Sequence, residues 1–132
     1  MVDRAALRIS ATLLLAGQLL YIMVTQFHTG GQANDHPAIF AAYAASGRWK
    51  AVHVAQFVCA AILLAGLGAL PFAVNVPHGR AQWAGRFGAA FAVVAPGLYG
   101  VLQAVDGVGN QQVDQALGQR RGRGQGRAFR ER

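Results

Sequence analysis

The chain has 132 residues, of which 54% are hydrophobic and 13% charged, and its formal net charge is +7. Soluble domains carry roughly 25% charged residues, so this composition argues against an ordinary soluble domain and for a membrane protein. The single cysteine, Cys59, excludes an internal disulfide and, within FVCAAILL, reads as a small buried apolar residue.

Three segments lack Asp, Glu, Lys and Arg and are long enough to cross a bilayer: residues 9–34, 51–77 and 87–105. A hydrocarbon core of about 30 Å takes roughly 20 residues of helix. The first run follows Arg4 and Arg8, as a signal peptide would. It continues too far, however, and no small-x-small cleavage site follows it, so an uncleaved helix over about 5–27 is expected. Its polar members Gln18, Tyr21, Thr25 and His28 fall at i, i+3, i+7 and i+10, which puts them on one face.

The connection that follows, HTGGQAND, reads as a loop. Pro37 fits the first turn of a short helix over about 37–46, with Asp35 or His36 at its cap. Ile39, Phe40 and Tyr43 share a face of it, and with Trp49 adjacent it is expected to lie in the membrane interface. The second long helix is expected over about 49–73, with Ala61, Ala65 and Ala69 as a ladder of small residues beside Gly66 and Gly68. The third is expected over about 81–105, with Ala92, Pro96, Gly100 and Ala104 as a second ladder that would pack on the first. Tyr99, Gln103 and Asp106 share one face near its end. The expected fold is therefore all-α: an integral membrane helical bundle of three transmembrane helices plus a short interfacial helix. The helical domain would cover residues 1–117, and an Arg/Gly-rich disordered tail residues 118–132.

Basic residues beside short loops mark the cytoplasmic side. With the N-terminus inside, Arg4, Arg8, Arg80 and Arg86 are cytoplasmic and Arg48 and Lys50 external, which favours an inner (plasma) membrane protein with a cytoplasmic N-terminus. The same topology exports the tail, whose Arg120, Arg121, Arg123, Arg127, Arg130 and Arg132 reverse the count. GQRRGRGQGRAFRER has the composition of a segment that binds anionic lipid or nucleic acid; of these, lipid suits the rest of the chain. It also matches what a GC-rich reading frame yields when shifted by one base. In that case the natural chain would differ after about Ala116 and continue into a fourth helix. The small-residue ladders also offer surfaces for a homo-oligomer.

Chemistry is expected at one end of the bundle. In a three-span topology His28, His53 and Asp106 lie near the same membrane face, with Gln56 and Gln103 one turn deeper and Asp35 and His36 in the loop above. The simplest reading is structural: helix caps and hydrogen bonds among interfacial groups. A second is a ligand or proton site, since ionisable groups within a membrane bundle are functional candidates. A third is a divalent metal held by His28, His36, His53 and Asp106. No HExxH motif is present, GVGN at 107–110 lacks the features of a phosphate loop, and neither Ser10 nor Ser46 has a base partner, so no catalytic residue is assigned. His78 reads as a turn residue.

The stretches ALRISATLLLAGQLLY, FHTGG with NDHPAIFAAYAASGRWKAVHVAQF, and VLQAVDGVGNQQVDQA resemble a group of small, uncharacterised four-helix membrane proteins of high-GC, actinobacterial-type bacteria. The resemblance covers about residues 5–117 and rests on His28, Asn34, Asp35, His36, Trp49, His53, Gln103, Asp106 and Gly107. It implies a multi-pass bundle and no particular reaction, and the chain departs from it after about position 117. The expected function is that of a non-enzymatic membrane protein, structural or binding a small ligand. The alternative is a metal- or proton-dependent transporter, sensor or oxidoreductase built on the His/Asp cluster.

Overall fold

A computed structural model describes residues 2–30, 34–74 and 79–130, apart from the side chains of 121 and 124–130. The expectations for residues 31–33, His78 and Arg132, and for the side chains of Arg121, Arg127 and Arg130, lie outside the described residues. Helices α1 (Arg4–Thr25), α2 (His36–Ala45), α3 (Trp49–Ala73) and α4 (Arg80–Ala104) follow in order. A π-helical turn (Val105–Asn110) then leads without a break into α5 (Gln111–Arg130). Three helical stretches, Arg4–Thr25, Trp49–Ala73 and Arg80–Arg120, are long and apolar enough to cross a membrane.

Local chemistry sets the boundaries. Asp3 caps α1, its Oδ1 accepting the backbone N–H groups of Ala5 and Ala6 at 2.9 and 3.1 Å. Asp35 caps α2 by accepting from Ala38 N–H at 3.1 Å, and Pro37 occupies the first turn. Gly79, with φ of +111°, takes the turn into α4, a backbone conformation that a side chain would strain. Pro71 lies inside α3, which ends two residues later at Ala73.

The most extensive contact in the bundle is between α1 and α3, and it is made through glycine. A Cβ on Gly17 would lie 2.6 Å from the backbone nitrogen of Leu63, and one on Gly66 would lie 2.8 Å from that of Leu14. The two backbones therefore touch where neither glycine carries a side chain. Between them Ser10, fully buried, donates its Oγ–H to the Gly66 carbonyl at 2.6 Å. Ser10→Ala should cost about 0.5–1.5 kcal/mol, the net worth of one such bond. Unfolding midpoints in a denaturing detergent would measure it, and an unchanged midpoint would contradict this role for the hydroxyl.

The expected pairing of the two small-residue ladders holds only in part, through Gly68, Ala92 and Gly100. Ala65 and Ala104 are exposed. The contact between α3 and α4 sets Gly68 near Ala92, Gly100 against the Phe57 ring and Gly85 near Pro71. Alanine still holds helices one methyl apart, so the closest approach falls to the glycines.

The end of the chain also differs from expectation. α5 carries helical backbone across residue 117 and through 118–130, the segment for which a disordered tail was expected. Its first turns are anchored on α2. The buried Gln111 donates Nε2–H to the Tyr43 and Ser46 carbonyls at 3.1 and 2.9 Å, and Gln115 donates to the Ala44 carbonyl at 3.0 Å. The Tyr43 and Ser46 carbonyls also accept the backbone N–H groups of Ser46 and Trp49 at 3.2 and 3.3 Å, so the glutamines add second bonds to them. The last turns extend a helix already nucleated and held, so the helix-weakening glycines do not have to start one.

At the opposite end Asp3 N–H donates to the Ala73 carbonyl at 3.0 Å, and Val2 pairs with Val74 as an isolated β-bridge. The outer surface of the long helices is strongly apolar: Phe72, Phe91, Val93 and Leu98 are each at least 70% exposed. Apolar surface of this extent needs a partner phase.

Candidate metal centre

Three elements converge where α1 ends, α3 begins and α4 passes into the π-helical turn. α1 closes with tight turn bonds, Phe27 N–H to the Val24 carbonyl and His28 N–H to the Thr25 carbonyl. These set His28 beside the first turns of α3. Its ring lies 4.9 Å from the Trp49 ring, 5.2 Å from His53 and 6.3 Å from Tyr43, centroid to centroid. Trp49, 1% exposed, packs at a tilt against Tyr43 and His53, with ring centroids 4.0 and 4.3 Å away. The imidazoles therefore sit in an aromatic box, with His28 half-buried and His53 buried.

Asp106 enters from the π-helical turn and makes three polar contacts. Its backbone carbonyl accepts from Trp49 Nε1–H at 3.1 Å, its Oδ1 accepts from Asn110 Nδ2–H at 3.1 Å, and its Oδ2 faces His53 Nε2 at 3.2 Å. One ligand atom from each of His28, His53 and Asp106 lies within 4.8 Å of the others. Gly107 closes the arrangement from above: a Cβ there would stand 2.5 Å from His53 Cβ and 2.7 Å from Cγ. The wide turn, of a kind frequent at functional sites, brings both Asp106 and Gly107 against the same histidine.

The hydrogen bonds of His53 constrain its protonation. Nδ1 lies 2.9 Å from the Trp49 carbonyl, which can only accept, so Nδ1 carries the hydrogen. In neutral His53, Nε2 is then a bare lone pair facing the carboxylate of Asp106 at 3.2 Å. Two acceptors at that distance repel unless a positive centre lies between them, either a proton or a metal ion. A backbone carbonyl on Nδ1 is also the usual outer partner of a metal-binding imidazole. Metal–ligand bonds of about 2.0–2.1 Å at a tetrahedral centre place ligand atoms about 3.3 Å apart, close to the spacing of Nε2 and Oδ2.

The other residues anticipated from sequence are placed elsewhere. Gln56, buried, donates Nε2–H to Thr25 Oγ1 at 3.3 Å, and Thr25 donates to the Tyr21 carbonyl at 2.8 Å. Gln103 has a buried Oε1 with no hydrogen-bond partner among the described residues. Asp35 is the α2 cap. His36 is exposed and stacks on Phe40 at 6.3 Å; it lines a separate cleft of about 790 Å³ between α2 and α5, with Asp114 and Gln115. The metal set anticipated with His36 therefore reduces to His28, His53 and Asp106 among the described residues.

Sequence reasoning did not assign Asn110 or Gln111 any role, nor Trp49 and Gly107 a role in positioning the site. The available signal was the density of glycine and amides in DGVGNQQ directly after a membrane-length run. Comparison with known proteins places no constraint on these roles: no protein-family model, curated protein or solved structure matches the chain.

Proposed function

We propose that this chain is a non-enzymatic multi-pass protein of the bacterial inner membrane that binds a divalent transition-metal ion through His28 Nε2 or Nδ1, His53 Nε2 and Asp106 Oδ2. The carrying observation is the convergence of His28, His53 and Asp106, with His53 Nε2 3.2 Å from Asp106 Oδ2 and His53 Nδ1 2.9 Å from the Trp49 carbonyl. Two imidazoles and a carboxylate suit zinc and its first-row neighbours. Three protein ligands leave coordination positions for water, and the Asp106 side chain is 45% exposed. Such a site exchanges its ion, which fits metal sensing or transport better than a closed structural centre.

The proposed orientation keeps the N-terminus cytoplasmic, on the strength of Arg4, Arg8, Arg80 and Arg86. That orientation sets aside Arg120, Arg121 and Arg123, which follow Val105 by 15, 16 and 18 residues, within the roughly 15–20 residues over which basic residues direct topology. The metal centre then faces the outside of the cell. The proposed kinship with small actinobacterial-type membrane proteins rests on the sequence stretches already quoted.

The test uses full-length protein without a polyhistidine tag, in detergent, equilibrated with Co²⁺ or Zn²⁺. We expect about one ion per chain, with ligand-field absorption for Co²⁺ typical of nitrogen and oxygen donors. His53→Ala and Asp106→Ala should lose the ion, and His36→Ala should keep it. Equal metal content in wild type and in the His28→Ala/His53→Ala double variant would overturn the proposal. So would a wild type that retains no divalent metal, which would leave a proton as the cation between His53 and Asp106.

A further inference from the structure

The cleft of about 790 Å³ between α2 and α5 lies apart from the metal centre, and its volume is in the range of small-molecule sites. Pro37, Phe40, Ala41, Ala44 and Leu117 give it an apolar lining, and the alanines leave the space open by their small size. Its polar lining is His36 on α2 and Asp114, Gln115 and Gln119 on α5.

Asp114 is the unusual member. Its Oδ2 is shielded from solvent and has no hydrogen-bond partner among the described residues. No basic side chain pairs with it among those residues either. Its neighbours one turn away on the helix are Asn110, Gln111, Leu117 and Gly118, none of them cationic. Asn110 donates to Asp106 and Gln111 to the α2 carbonyls. Nor does a helix end compensate the charge. α5 continues from the π-helical turn without a break, so the N–H groups of its first turn are bonded to the turn before. A carboxylate held in this way is costly unless a cation meets it.

The rest of the cleft selects the kind of cation. A bare metal ion would fill a small part of the space and leave the apolar walls without a partner. Gln115 donates its Nε2–H to the Ala44 carbonyl at 3.0 Å, which leaves its Oε1 free to accept. Carboxylate and amide oxygens on successive residues suit a group with several N–H donors, and a primary ammonium has three. Phe40, Ala41 and Leu117 suit the hydrocarbon that carries it. With α4 across the membrane, Asp114 stands about 14 Å beyond Val105 at helical rise, past a head-group layer roughly 5–8 Å deep. The ligand therefore arrives from water.

We propose that this cleft binds a water-borne primary amine with an apolar body, its ammonium group against Asp114 and Gln115 Oε1. An aminophospholipid carries the same ammonium, but its head group occupies the layer that Asp114 stands beyond. No ligand of the metal centre takes part, so the site does not depend on the metal reading.

The test titrates benzylamine into full-length protein in detergent at neutral pH, followed by calorimetry, with empty micelles as the blank for partitioning. Benzyl alcohol, nearly the same shape without the charge, is the comparison. Saturable binding of benzylamine and none of benzyl alcohol is expected. Asp114→Asn keeps the size and removes the charge, and should weaken binding about tenfold or more, the worth of a hydrogen bond to a charged group. Ala41→Leu fills the space while keeping Asp114 and should abolish binding. His53→Ala should bind benzylamine as wild type does, even where it has lost metal. Wild type that does not saturate with benzylamine, or that binds benzyl alcohol as tightly, overturns the proposal without any variant having to fold. Equal affinity in wild type and Asp114→Asn overturns it too. Phosphatidylethanolamine retained through native mass spectrometry, lost in Asp114→Asn and not displaced by benzylamine, also overturns it by assigning the cleft to lipid.

Discussion

Gly66→Leu should prevent α1 from seating on α3. A Cβ at Gly66 would meet the Leu14 nitrogen at 2.8 Å and the Leu13 Cβ and Ser10 carbonyl at 2.9 Å each. Two of these three atoms are backbone, so no change of rotamer relieves the clash, and leucine adds three more carbons beyond the Cβ. Overpacking typically costs about 1–3 kcal/mol, and this position belongs at or above the top of that range because the Ser10 hydrogen bond to Gly66 is lost with it. Gly17→Leu should behave alike, since its Cβ would meet the Leu63 nitrogen and Cα at 2.6 and 2.8 Å. Gly88→Leu and Gly97→Leu are the controls, because nothing lies within 4 Å of a Cβ at either. The measurement is the unfolding midpoint in denaturing detergent, supported by disulfide trapping between cysteines introduced on α1 and α3. If Gly66→Leu matches Gly88→Leu in stability, the close approach of α1 and α3 is refuted.

If His28, His53 and Asp106 hold a metal as proposed, Gly107→Ala should abolish its binding and leave the bundle folded. The added methyl would stand 2.5 Å from His53 Cβ and 2.7 Å from Cγ, so the imidazole has to shift. It has little room to do so, packed 4.3 Å from the Trp49 ring and 5.2 Å from His28. Any displacement opens the 3.2 Å spacing between Nε2 and Oδ2 on which chelation rests. Changes in groups that merely orient a ligand cost about 10–100-fold in metal affinity, and this one moves the ligand itself, so a loss of at least that size is expected in a Co²⁺ titration. Alanine also favours helix over glycine by about 1 kcal/mol, which separates a site effect from general unfolding. Gly109→Ala, whose Cβ would meet only the Ala104 carbonyl at 4.0 Å, should bind metal normally. Undiminished affinity in Gly107→Ala would remove this glycine from the design of the site.

The long helices were legible because apolar runs bounded by polar residues leave few choices. The expected 49–73 coincides with α3, and α1 and α2 begin and end within two residues of expectation, whereas α4 begins within one residue of it but runs on through the π-helical turn into α5. The candidate site was legible in part, since helix length and direction alone bring His28, His53 and Asp106 to one level. What could not be read was which backbones touch. Alanine and glycine look alike as small residues in a pattern, yet the absence of one carbon at Gly17 and Gly66 decides the closest approach. Nor could the fate of the loop residues be read: Asp35 and His36 are neighbours in sequence, but the first caps a helix and the second stacks on Phe40 away from the cluster. The π-helical turn was hidden for a related reason. Glycines at 107 and 109 signal a break by propensity, whereas in the structure Gly107 admits the His53 ring within an unbroken helix.

That turn also sets the angular relation between the two ends of the molecule. An α-helix advances about 100° per residue, so a wide turn behaves as an inserted residue that rotates everything after it by about that angle. Ahead of it, α4 presents Tyr99 and Gln103 to the bundle; beyond it, α5 presents Gln111 and Gln115 to α2. Narrowing the turn to an ordinary helical one would swing both glutamines off the α2 carbonyls and carry Asp106 with them. Asp106 therefore acts as the pivot pin of a jointed rod, and an ion seated between it and His53 would hold the joint at one setting.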